Sequence, residues 1–186
     1  MTENASIRVK GNLGASISRL HPVEPVRAVL RQVTDLLEGM DDEQYVATHV
    51  TTYDGSVGAH VRHCLDHVRA LVTGARTGLV DYDDRQRGTN IETNRRSAIA
   101  EIDQLNQALA AMDDNDIDKP VRIALILTPD GRGAQTHSSV GRELAFLLSH
   151  TVHHGAMIGG MVRALGGHVP RDFGYAPSTL AARQEA

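Results

Sequence analysis

Apolar residues recur at helical spacing in four long stretches of this 186-residue chain, and that pattern leaves few folds open. The first holds Val23, Val26, Val29, Leu30, Val33, Leu36 and Leu37, with Pro22 ahead of it and Gly39 at its stop. A connector over 40–55 follows. Ser56 then caps a second helix whose apolar positions are Val57, Val61, Cys64, Leu65, Val68, Leu71 and Val72, ending near Gly74. Asp81 to Gly88 is charged and turn-like. Thr89 and Glu92 have the spacing of a capping box opening a third helix, from Ile91 to about Met112, that buries Ile99, Ile102, Leu105 and Leu109. The fourth helix runs from Ser139 to Leu165 and stops at Gly166-Gly167. Between the last two, Pro120 halts helical pairing, Val121–Leu127 reads as an apolar strand, and Pro129-Asp130-Gly131 turns it back into Ala134–Ser138. The expected fold is all-α: a four-helix bundle with a small accessory β-hairpin between the third and fourth helices. Residues 1–20 are expected to form a loose arm, 21–180 the bundle domain and 181–186 a tail, with the segment from Val169 crossing the bundle as coil.

Composition narrows the function classes. Lys plus Arg number 19 against 23 Asp plus Glu, for a net charge of −4, and no stretch gathers basic residues into a phosphate-binding face. Nucleic acid is therefore not an expected partner. No apolar run approaches the roughly 18 residues of a membrane span, and no signal-peptide pattern follows Met1, so the expected location is the cytoplasm, away from membranes. The single cysteine, Cys64, excludes an internal disulfide framework and a multi-thiolate metal cluster. Histidine, by contrast, occurs ten times.

At 3.6 residues per turn, His154 falls inside the apolar face of the last helix, His150 at its edge and His153 on a flank. On the second helix His60, His63 and His67 all border the apolar face. An imidazole pair at i and i+4 can clamp a divalent ion, and a third imidazole from a neighbouring helix completes the set with a position left open. The spacing alone equally suits histidines that only hydrogen-bond between helices. Thr151 stands where a zincin would carry glutamate, and the Glu-x-x-His pairs of di-iron bundles are missing.

Two segments carry a resemblance. S-V-G-A-H-V-R-H-C-L-D-H (Ser56 to His67) and L-L-S-H-T-V-H-H-G-A-M-I (Leu147 to Ile158) resemble the signature segments of the DinB/YfiT-like family, and the likeness extends from about Val23 to Leu180. It implies a four-helix bundle with a three-histidine metal site. Matched residue by residue, the implied ligands are His150 and His154 on the last helix and His63 on the second; His60 and His67 lie one turn either side of His63 as alternatives, and His153 stands beside the pair. Gly155 and Ala156 occupy positions where many relatives carry Arg and Gln. The implied cofactor is a divalent ion (Zn, Ni, Mn or Fe), and the implied partners are a small-molecule substrate and a second copy in a homodimer.

Characterised relatives include transferases that use low-molecular-weight thiols. The resemblance thus implies metal-dependent transfer of a small thiol to an electrophile, with a metal-dependent hydrolase and a non-catalytic ligand-binding bundle as alternatives. Among other residues, Asp66 is expected on a solvated flank, with orienting a ligand imidazole or acting as a base as its functional alternatives. Cys64 reads as a small core residue. Arg85 and Arg87 belong to a solvated loop or receive an anionic substrate, Glu92 caps its helix, and Gly155, Gly159 and Gly160 permit close helix approach.

Overall fold

The computed structural model describes residues 20–48 and 54–184. All of the expected arm except Leu20, part of the 40–55 connector and the last two tail residues lie outside them. In chain order the elements are α1 (Val23–Glu38), α2 (Asp42–Val46), α3 (Val57–Thr77), β1 (Leu79–Asp81), α4 (Asn90–Thr93), α5 (Arg95–Ala110), α6 (Asp114–Ile117), β2 (Pro120–Ile126), β3 (Gly133–Ser139), α7 (Val140–Ala164) and α8 (Pro177–Gln184). The four long helices, α1, α3, α5 and α7, touch in a ring: α1 and α3 each meet both α5 and α7. Their apolar stripes bury Val26, Leu30, Leu37, Val61, Leu65, Val68, Leu71, Ile102, Leu109, Leu144, Leu147 and Ile158 in one core. Burial of each such side chain contributes about 1.5–3 kcal/mol, and this drives the assembly.

The expectation of four helices and a hairpin is too simple. Among the described residues there are eight helices and a three-stranded mixed sheet in the order β1-β2-β3. The hairpin is present, with Val121 opposite Ser138 and Ile123 opposite Thr136, but β1 adds a third strand parallel to β2, with Val80 opposite Ile123. α3 does not end at Gly74. It continues to Thr77 and closes at Gly78, whose positive φ of 79° lets its N–H reach the Gly74 carbonyl. Gly74 is instead where β1 folds back onto the helix: a Cβ there would lie 2.3 Å from Val80 Cγ2 and 2.9 Å from the Leu79 carbonyl oxygen.

The expected third helix is broken. Asn94 is extended (φ −129°, ψ 107°) and its side chain accepts from the Ser97 N–H, so a new helix starts there. Thr89 makes no side-chain cap bond, and Glu92 accepts instead from Arg62 Nε at 2.9 Å. Capping boxes do form at Asp41–Gln44 and Asp113–Asp116, opening α2 and α6. Ser56 caps α3 as its sequence context predicts, and Ser139, expected as the first residue of the last helix, caps α7 instead. The tail crosses α7 at Phe173-Gly174 and then forms α8, which corrects the expectation of coil throughout. Gly155 and Gly159 admit this crossing rather than a neighbouring helix: the positions their Cβ atoms would take lie 3.3 Å from Gly174 Cα and 3.4 Å from Phe173 Cδ1.

Candidate metal centre

α3 and α7 lie side by side. His63 projects from α3, His150 and His154 from consecutive turns of α7, and one ring nitrogen from each lies within 4.8 Å of the other two. Ring centroids are 4.9 Å apart for His63–His150, 4.6 Å for His63–His154 and 4.5 Å for His150–His154. All three side chains are half-buried.

Three further imidazoles border this group. His60 Nδ1 is 3.2 Å from His154 Nδ1. His67 is buried and donates Nδ1–H to the His63 carbonyl at 3.1 Å, a bond to an obligate acceptor that fixes its tautomer. Its ring stacks on His150 at 4.2 Å on one side and on Tyr82 at 5.0 Å on the other. His153 is exposed, as its flank position predicts, with its ring 5.5 Å from that of His154.

The cluster is held neutral. Burial, then the charges of neighbouring imidazoles and Arg85, pushes His63 down to about 2. His67, His150 and His154 are pushed down to about 4, with burial again the leading cause and Arg85 acting in the same direction on each. Burial also lowers His60, against the Asp54 backbone. Arg85 is half-buried; its guanidinium donates to the Tyr82 carbonyl and faces Asp83 at 3.7 Å. Of the two candidate anion receptors, it is the one whose charge reaches the histidines, and Arg87 is exposed.

Two groups escaped the sequence reading. Tyr82, inside the charged turn segment, is buried against the cluster, and its hydroxyl donates to Glu143 Oε2 at 2.8 Å. Glu143 is buried and also accepts from Ser138 Oγ at 2.6 Å and Arg142 at 2.9 Å. A signal existed for Glu143, because it sits two helical turns before His150 on the same face. Asp66 is a correction: it is buried rather than on a solvated flank, accepting from Arg62 and Arg69, each at 2.7 Å. It is thus committed to two guanidinium groups and to no imidazole. Cys64 lies in the core with its thiol pushed up to about 12, consistent with the core reading.

The sequence profile of the DinB superfamily matches residues 26–158, a span that contains His63, His150 and His154. The chain belongs to the DinB superfamily. Two solved structures share the DinB-like fold: a DinB-like protein from Bacillus subtilis (TM-score 0.57, 14% identity, 80% of this chain and 95% of that one) and another from Bacillus cereus (TM-score 0.55, 15% identity, 80% and 93%). A curated relative, FK506-binding protein 5 of Rhizopus delemar, is 27% identical over 175 residues. The match takes in 92% of this chain, which spans only 40% of that protein's length. No helix among the described residues is long and apolar enough to cross a membrane.

The histidine set fits a divalent ion. His63 Nδ1 and His150 Nε2 are buried with no hydrogen-bond partner, a costly arrangement unless something binds their lone pairs. Neutral imidazoles are the ligating form, so no proton competes at neutral pH. Three such donors, with no carboxylate or thiolate among them, suit zinc, nickel or iron better than magnesium or calcium.

Proposed function

We propose that this DinB-superfamily protein is a metal-dependent enzyme that transfers a low-molecular-weight thiol to an electrophilic small molecule. The observation that carries the reading is the cluster of three neutral imidazoles with orphaned ring nitrogens at His63 and His150. A divalent ion on three neutral ligands keeps a net charge near +2, and so supplies a Lewis acid that lowers the proton affinity of a thiol or water.

The chain's own residues supply the rest. Three imidazole ligands would leave at least one coordination position of the ion for a small molecule. The Arg85 guanidinium adds positive charge beside the cluster, which favours a guest with a carboxylate. His67, clamped between Tyr82 and His150, keeps the α3 and α7 imidazoles in register, and the Tyr82–Glu143 bond anchors that clamp to the start of α7. On the family resemblance the functional unit is the 21–180 domain, acting as a homodimer.

Metal content measured by plasma mass spectrometry on untagged protein tests the site. About one equivalent is expected in wild type, lost in His150→Ala and His154→Ala with the fold retained. The loaded protein is then offered small thiols with electrophiles, and separately activated esters. Thiol consumption supports the transferase reading, ester cleavage without it supports the hydrolase alternative, and metal uptake with neither leaves a binding protein. Wild type that takes up no metal refutes the reading.

A further inference from the structure

The three-histidine reading leaves His60 without a role, although its ring lies within hydrogen-bond distance of a member of the cluster. Its Nδ1 is 3.2 Å from His154 Nδ1, across the α3–α7 interface. An uncharged imidazole carries one ring proton, on one nitrogen or the other. Two Nδ1–H groups at this distance collide and two lone pairs repel, so one ring must donate to the other. If His60 donates, His154 carries its proton on Nε2 and has no lone pair left for an ion. If His154 donates, its Nε2 lone pair is free to join His63 and His150.

We propose that His60 is a positioning residue: it accepts the Nδ1 proton of His154 and thereby fixes His154 in the tautomer that ligates through Nε2. The assignment rests on the reading of His63, His150 and His154 as ligands. Ligating histidines commonly give their second N–H to a carboxylate or carbonyl; here an imidazole takes that place. Unlike a carboxylate, an imidazole adds no charge, so the cluster stays electrically neutral.

The fold supports such a role by holding His60 in place. It lies in the opening turn of α3, whose cap is Ser56 and whose next turn brings His63 onto the same face. Gly58, two residues earlier, lies so close to α4 that an added Cβ would be 2.1 Å from the Glu92 carbonyl oxygen and 2.8 Å from the Tyr45 ring. The hydroxyl of Tyr45 in turn donates to the Ile91 carbonyl of α4 at 2.5 Å. The start of α3 is thus clamped between α2 and α4, and His60 has little freedom to leave His154.

The test has two arms. In metal-free protein with 15N-labelled histidine, long-range 1H–15N spectra report which ring nitrogen carries each proton. His154, assigned by loss of its signals in His154→Ala, is expected to be protonated on Nδ1, and to move toward the Nε2–H form in His60→Ala. In the second arm Co²⁺ affinity is measured by chelator competition. His60→Ala is expected to weaken binding about 10- to 100-fold, with thermal unfolding confirming the fold, and His60→Asn or His60→Gln to recover much of it because an amide oxygen can accept the same proton. An Nε2-protonated His154 in wild type overturns the assignment, as does a His60→Ala affinity equal to that of wild type. Complete loss of Co²⁺ in His60→Ala, matching His63→Ala, makes His60 a ligand and also overturns it. Wild type that binds no Co²⁺ removes the three-histidine reading and this assignment together, whereas a His60→Ala affinity equal to that of wild type overturns the assignment alone and leaves that reading standing.

Discussion

Replacing Asp66 by Ala separates a structural from a chemical role for the acid nearest His63 in sequence. Its carboxylate side chain is 3% exposed and joins Arg62 to Arg69. Removing one partner of a buried ion pair costs about 3–5 kcal/mol when the other charge is left alone. Neither guanidinium is left alone here: Arg62 keeps Glu92 at 2.9 Å, and Arg69 keeps Glu101 at 2.7 Å. Arg69 and Glu92 also reach solvent. The expected loss is therefore at or just below the bottom of that range, about 2–3 kcal/mol, which for a chain of this length lowers the midpoint of thermal unfolding by roughly 4–12 °C. Urea unfolding of metal-free protein measures the stability, and chelator competition measures metal affinity on the same variant. A loss of stability with metal affinity unchanged is the expected result. A stability change under about 0.5 kcal/mol, the ordinary range for surface substitutions, refutes the buried-network argument. A fall in metal affinity with stability intact would instead give Asp66 the orienting role.

The remaining predictions concern the cluster, the tail and the thiol. Metal-free protein should lose stability in acid: the folded-state values of His67, His150 and His154 near 4, and of His63 near 2, lie below the unfolded value near 6.5, so between these limits the unfolded chain binds the extra protons. Stability is then full above about pH 7, falls as pH drops below 6.5 and levels off only beneath the folded-state values, with buried His67 alone costing about 2 kcal/mol at pH 5; urea midpoints that stay flat from pH 7 to 5 contradict this. Gly174→Ala should cost about 2–4 kcal/mol, because φ is 77° and the new Cβ would sit 2.6 Å from the Ala156 nitrogen. Gly166→Ala, at φ 76° with open space around it, should cost only about 1 kcal/mol, and equal losses in a denaturation comparison would sink the tail-docking account. Cys64 should resist an aromatic disulfide reagent at pH 8 in the folded protein and react on unfolding, since its thiol is buried and pushed up to about 12; rapid reaction of the native state contradicts its placement in the core.

Much of the helical architecture and the His150–His154 pair could be read directly from the residues, while the choice of His63 among the α3 histidines came from the family resemblance. Helical period is a local property, so Val23 to Leu37, Val57 to Val72 and Ser139 to Leu165 announced their helices to within a few residues, and Ser56 announced one of the starts. The i, i+4 spacing of His150 and His154 placed both rings on one face before any neighbour was known. What tertiary structure decided depends on partners distant along the chain. β1 is three residues long and exists only because β2, some forty positions later, pairs with it, and Gly74 looked like a helix stop because the strand that needs its missing side chain is invisible in one dimension. Glu92 had a cap to make and made an ion pair with Arg62 instead, since a charged acceptor for a guanidinium outweighs one exposed cap bond. Asp66 looked solvated by its wheel position until Arg62 and Arg69 closed over it, and Tyr82 looked like part of a polar turn until it stacked on His67. Sequence alone could put imidazoles on the facing sides of two helices; which of them share a proton, stack or turn their lone pairs to a common point follows from how α3 and α7 meet, because those interactions are fixed by a few ångströms of interhelical geometry that no spacing rule contains.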